Sequence, residues 1–160
     1  MGQEVQQMKW KEKDAAMYLA EKEYVDTAVI PLMPVTAGKD MQDVVKSGEF
    51  IRYFTEYLER QYAGRVYLFP AFTYIKTKQV PEEQLKHWQE LLREEGFNHF
   101  LFITSDASWR RTSADSFGEL FWIPAFSVEN MEVQELAKTM EQQVQQLVPL
   151  MMDMWQSEEK

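Results

Sequence analysis

The residues best equipped for chemistry lie in one run, Thr104-Ser105-Asp106-Ala107-Ser108-Trp109-Arg110-Arg111-Thr112. It offers a carboxylate, several hydroxyls, a flat indole and two guanidinium groups, each able to grip a carboxylate or phosphate through paired hydrogen bonds. The chain carries 17 basic and 26 acidic residues, a net charge of −9, so this cationic stretch is a local exception. One reading is an anion site in which Arg110 and Arg111 hold the ligand while Asp106 serves as base or metal ligand. The other is an ordinary surface loop whose arginines pair with neighbouring acids. The sequence leaves both open.

Other chemistries are poorly supplied. The six glycines stand alone at 2, 38, 48, 64, 96 and 118, so neither a dinucleotide fingerprint nor a phosphate-binding loop can be assembled. The chain has no cysteine, which removes thiolate metal sites and thiol nucleophiles and fits a reducing, cytoplasmic setting. His87 falls off the apolar stripe of its predicted helix, and His99 begins a predicted strand, at the end opposite the usual site of a parallel sheet. A histidine-based triad or metal site is therefore not expected. Asp26, Asp40, Asp43, Asp106 and Asp115 are the carboxylates available to a magnesium ion, but their spacing follows no ligand pattern. No cofactor is expected. The acidic balance argues against nucleic acid, and no charge-free apolar run is long enough to cross a membrane.

What must position these residues is a set of apolar slabs. Gly64-Arg65-Val66-Tyr67-Leu68-Phe69-Pro70-Ala71-Phe72-Thr73 recurs almost position for position as Gly118-Glu119-Leu120-Phe121-Trp122-Ile123-Pro124-Ala125-Phe126-Ser127, with a fainter copy in Thr27 to Pro34. Continuous apolar runs rich in Val, Ile and aromatics suit strands covered on both faces. Similar sheet positions select similar residues, and this accounts for the repetition better than a duplication, since the intervening lengths differ. Proline donates no ladder hydrogen bond, so Pro31, Pro70 and Pro124 are expected to mark strand ends or irregularities.

Between the slabs, Lys11 to Tyr24 reads as a short helix, 34–48 as a loop with room for one helical turn near Met41 to Val45, 49–62 and 82–95 as amphipathic helices, and 98–104 as a strand. Residues 1–7 read as a disordered lead-in and 8–160 as one domain. The predicted fold is a three-layer α/β/α sandwich around a mainly parallel sheet of about four strands. The last strand has no preceding helix and is allowed to run antiparallel. Carboxyl ends of parallel strands are where ligands lie, which adds Thr36 and Thr73 to Asp106, Trp109, Arg110 and Arg111 as candidate binding residues. From Met131 helical spacing continues to the end, with Pro149 set to bend or break a long C-terminal helix. Its Met151, Met152, Met154 and Trp155 either complete the core or form an interface for a protein partner or a second copy.

Met8-Lys9-Trp10 through Asp14, Tyr24-Val25-Asp26-Thr27-Ala28-Val29-Ile30-Pro31-Leu32 and Pro70-Ala71-Phe72-Thr73-Tyr74 together resemble the YpiF-like family of uncharacterised proteins from Bacillus and its relatives, over nearly the whole chain from Met8. That family has no established catalytic motif, so no functional residue is carried over. Its genes often lie beside those of the menaquinol–cytochrome c reductase, which implies an association with respiration or its assembly. The expectation is thus a non-enzymatic cytoplasmic accessory protein that binds a protein partner. The alternative is a domain or hydrolase for a small anionic ligand, using the cleft past the strand ends.

Overall fold

A computed structural model describes residues 7–111 and 118–157 of the chain. The expected lead-in therefore falls outside the described residues, except for Gln7. The elements run α1 (Glu12–Ala20), β1 (Thr27–Val35), α2 (Met41–Gln61), β2 (Val66–Leu68), β3 (Phe72–Ile75), α3 (Glu82–Glu94), β4 (His99–Thr104), β5 (Glu119–Trp122), α4 (Val133–Gln145) and α5 (Val148–Gln156). Short 3-10 helices occupy Lys22–Tyr24 and Ala107–Arg111.

The sheet order is β2-β1-β4-β5, and β3 continues beyond β2 along the same side of β1. Every pairing is parallel. β1 is central and buried on both faces, which is why its sequence is apolar without alternation. Val29 faces the layer built by α2, α4 and α5, where Phe50, Phe54, Met140 and Val144 pack. Ala28, Ile30 and Leu32 face the opposite layer, with Met17 and Tyr18 of α1 and Leu85 of α3. The three-layer α/β/α arrangement is thereby built from the alternation of side chains along one strand.

The repeated slab has a structural reason. Its two copies form the outer strands, β2 with β3 at one edge and β5 at the other. Edge strands tolerate proline, and Pro70 divides the first copy into two strands, giving five where about four were expected. Pro124 lies just past β5. Pro31, by contrast, sits inside β1 rather than at its end. The β1–β2 pairs stop at Val29↔Leu68 and the β1–β3 pairs resume at Leu32↔Phe72, so a residue without an N–H falls opposite the break in its neighbour.

The structure decides one alternative the sequence left open and corrects one expectation. β5 is parallel to β4, with Leu101 opposite Glu119 and Thr104 opposite Trp122. The 14 residues between Thr104 and Glu119 are enough for a parallel crossover, which requires about a dozen. Residues 41–48 are helical throughout and continuous with α2, where the sequence allowed a loop with at most one turn. Val44 extends the buried face of Ile51 and Leu58 by two turns, and Gly48 lies against Met33 of β1 instead of ending the helix. The long terminal helix breaks, as Pro149 foretold, into two helices: the interruption is at Gln146-Leu147 and Pro149 stands in the first turn of α5.

Candidate functional site

The connection leaving β1 passes to α2 on one face of the sheet. The connection leaving β4 passes to the 3-10 helix, whose Trp109 is fully buried in the opposite layer. Neighbouring strands whose connections diverge leave a crevice at their carboxyl ends, the switch point of an open α/β sheet. A hollow of about 260 Å³ occupies this position. Pro34 at the end of β1, Asp43 and Ser47 on the first turns of α2, Lys76 just beyond β3, and Ser105, Asp106 and Ser108 after β4 line it. A wider hollow of about 560 Å³ runs along residues 78–84 and shares Ser108 with the first. Apart from Ser108, its wall is one continuous surface segment, so the side chains that converge from separate elements are those of the smaller hollow.

Asp106 is the best-fixed of these groups. Its Oδ2 accepts the Tyr74 hydroxyl at 2.6 Å and its Oδ1 accepts the Ser108 N–H at 3.0 Å, while its own N–H donates to Thr104 Oγ1 at 2.9 Å. Tyr74 is fixed in turn, because the Trp109 indole N–H donates to its oxygen at 2.7 Å. Burial, and then the Asp106 carboxylate beside it, push the Tyr74 hydroxyl far above the ordinary tyrosine value. The phenol therefore keeps its proton and acts as a donor.

The remaining charges are arranged differently. Lys76 Nζ lies 3.0 Å from Asp40 Oδ2, tying the end of β3 to the start of α2, and this hydrogen bond holds the exposed Asp40 carboxyl below its usual range. Asp43 is 3.8 Å from Lys46 one turn along α2. Among the described residues Asp106 makes no ion pair, and the Ser105 hydroxyl oxygen is shielded from solvent with no hydrogen-bond partner. No three His, Asp or Glu side chains among the described residues group as metal ligands.

The residues singled out in the sequence do not all meet here. Asp106 does, and Trp109 supports it from behind. Arg110 instead lays its guanidinium over the Trp122 ring at 4.7 Å, and the Arg111 side chain and Asp115 fall outside the described residues. Thr36 accepts the Gly38 N–H at 3.1 Å in a tight turn, and Thr73, next to Tyr74 on β3, is exposed. The anion clamp expected from Arg110 is therefore not part of this hollow. Asp26 is engaged at the opposite, amino end of the sheet, 3.2 Å from Arg65. Met151, Met154 and Trp155 are buried in the molecule's own core, and Met152 alone of the terminal four is exposed. Of the two roles the sequence left open for these four, Met151, Met154 and Trp155 serve the core.

The family described as "Protein of unknown function (DUF2487)" matches residues 16–155. The chain belongs to this family. It is similar to the uncharacterised protein YpiF of Bacillus subtilis (strain 168), 33% identical over 148 residues that cover 92% of this chain and 98% of the relative. No solved structure matches it. Every residue lining the hollow lies within the DUF2487 span.

Two members of the hollow, Ser47 and Lys76, escaped the sequence reading of this DUF2487 chain. Ser47 was hidden because residues 34–48 read as loop, so the first turns of α2 were not seen to face the crevice. Lys76 could have been found: it stands one residue past β3, where the strand-end rule already pointed.

Proposed function

We propose that this protein is a non-enzymatic cytoplasmic accessory protein whose working site is a recognition pocket for a small cationic group at the carboxyl ends of β1 and β4. The observation that carries the reading is the state of Asp106. A carboxylate has about four acceptor positions, and Tyr74 and Ser108 use two of them while fixing its orientation. The remaining positions face a hollow in which Lys76 is already neutralised by Asp40. An ammonium or guanidinium group would supply the missing donors, and charge-assisted hydrogen bonds of this kind are the strong ones.

The same geometry favours binding over catalysis. Tyr74 keeps its proton, Asp106 is tied by fixed donors, and His87 and His99 lie on α3 and at the amino end of β4, away from the hollow. The setting in respiratory-complex assembly that the family resemblance implies accords with an accessory role.

The test is an amide-resolved NMR titration of the full chain with methylguanidinium, methylammonium and, as the opposite charge, acetate. Shifts at Ser47, Ser105, Asp106 and Ser108 with the cations alone are expected, and Asp106→Asn should weaken them by about tenfold, as loss of a charged hydrogen-bond partner implies. Shifts there with acetate alone, or with none of the three, would overturn the proposal.

A further inference from the structure

We propose that residues 8–10 are a pH-sensitive strap, closed over the edge of the sheet while the Glu59 carboxyl group keeps its proton and lifted when Glu59 ionises. The device lies apart from the pocket and does not rest on its cationic reading. The latch is the hydrogen bond from the Met8 N–H to Glu59 Oε2 at 2.9 Å. In the same buried side chain, Oε1 has no partner. The rest of the strap is lightly held. Met8 O accepts the Leu68 N–H of β2 at 2.8 Å, and the Lys9 N–H donates to Asp14 Oδ2 at 3.0 Å. Trp10 sets its ring beside Tyr67 and Phe69 yet stays exposed, so of the three strap residues only Met8 is buried.

A carboxyl group buried with one hydrogen bond favours its neutral form, because the anion would be cut off from water with most of its acceptor positions empty. Burial is the largest influence on Glu59 and raises its pKa above the ordinary carboxylate value. The charges around it are divided. Lys9 on the strap and Arg60 on α2 favour the anion, Asp14 on α1 opposes it, and among the described residues neither cation comes within ion-pair distance of it. Lifting the strap brings water to the carboxylate, so ionisation and opening favour each other. A segment with so few buried contacts opens locally, without the whole fold. Its opening uncovers the outer side of β2, an edge strand, where the Leu68 N–H loses its acceptor.

The experiment is amide hydrogen exchange, read by NMR on the full chain from mildly acid to neutral pH, with each rate divided by its intrinsic value. Leu68, whose N–H the strap covers, is compared with Leu101 in the middle of β4. Leu68 is expected to be at least tenfold less protected than Leu101. Its protection should fall about tenfold per pH unit between the ordinary carboxylate pKa and the raised value of the closed strap, then level off, as linkage to one proton requires. In Glu59→Gln, which cannot ionise, that fall should vanish. A second readout needs no substitution: the Glu59 carboxyl carbon shift should titrate with its midpoint where Leu68 protection levels off. Equal protection at Leu68 and Leu101 would overturn the proposal, since the strap would then open only with the whole molecule. So would protection at Leu68 that ignores pH, a fall that persists in Glu59→Gln, or a carboxyl midpoint away from the levelling.

Discussion

The indole N–H of Trp155 donates to the hydroxyl oxygen of Thr27 at 2.8 Å, joining positions 128 residues apart in a buried bond. Thr27 passes the interaction on, donating to Asp26 Oδ1 at 2.9 Å, and Asp26 holds Arg65, whose guanidinium lies 4.1 Å over the Trp155 ring. The last helix is thus fastened to the first strand by a closed ring of contacts at the amino end of the sheet. Trp155→Phe keeps most of the packing and loses the hydrogen bond, so it should cost about 1 kcal/mol, whereas Trp155→Ala should cost about 3–5 kcal/mol. Ending the chain at Val148 removes Met151, Met154 and Trp155 together. At about 1.5–3 kcal/mol for each buried side chain, that loss rivals the whole stability of a typical domain. Urea denaturation should find the two single variants folded in that order of stability and the shortened chain unfolded.

Glu59 gives the molecule a dependence on pH. Its side chain is fully buried on α2, where Oε2 accepts the Met8 N–H at 2.9 Å and Oε1 has no partner. Burial raises its pKa above the ordinary carboxylate value, against the smaller opposing effects of the Met8 hydrogen bond and of Lys9. A raised acid binds its proton more tightly in the folded state, so stability is greatest below the unfolded pKa and falls as pH rises through the window up to the folded pKa. The protein should therefore gain stability on mild acidification from neutral pH. Glu59→Gln should flatten that slope; denaturation midpoints with the same slope in both proteins would assign it to other groups.

The helices and strands were legible wherever a single periodicity ran unbroken. β1, β4 and α3 fall close to their predicted bounds because apolar runs and stripes of that kind have few other uses. The start of α2 was not legible, since Gly48 and Pro34 read as loop punctuation while the packing of this turn against β1, with Val44 buried, is invisible in sequence. The direction of β5 was not legible because no helical stripe precedes it in the sequence to announce a crossover. At the site, the strand-end rule located Asp106 but overvalued Arg110. Its charge suggested a ligand, and only the fold shows that its guanidinium lies over the Trp122 ring instead of in the hollow.

The glycines supply a pair of substitutions with opposite signs. A Cβ placed on Gly48 would meet only the Met33 sulfur at 3.9 Å, ordinary contact inside a helix. Gly48→Ala should then stabilise by about 0.5–1 kcal/mol through the lower backbone entropy of alanine in the unfolded chain. A Cβ on Gly118 would lie 2.5 Å from the Phe100 carbonyl oxygen, a main-chain atom of the adjoining strand that cannot turn aside. Gly118→Ala should be destabilising, by about 1–3 kcal/mol if the cost is that of overpacking. Thermal unfolding of the two variants beside the parent checks both; a melting point lowered by Gly48→Ala would show that α2 cannot give way to Met33.

Tyr74 should matter to the pocket only through Asp106. Its hydroxyl donates to that carboxylate and accepts from Trp109, so Tyr74→Phe withdraws a donor from one and an acceptor from the other. The expected cost to stability is about 1–3 kcal/mol. Freed of Tyr74, the Asp106 carboxylate keeps its Ser108 bond but can swing away from the orientation that faces the hollow, and methylguanidinium affinity should drop with the variant. In Asp106→Asn the charge is already gone, so adding Tyr74→Phe should lower affinity little further. A double-mutant cycle on cation affinity should accordingly show coupling of about 0.5–3 kcal/mol, the range seen for residues in one hydrogen-bond network. If the two losses simply add, the phenol braces the fold without aiming the carboxylate, and Asp106 owes its orientation to Ser108 alone.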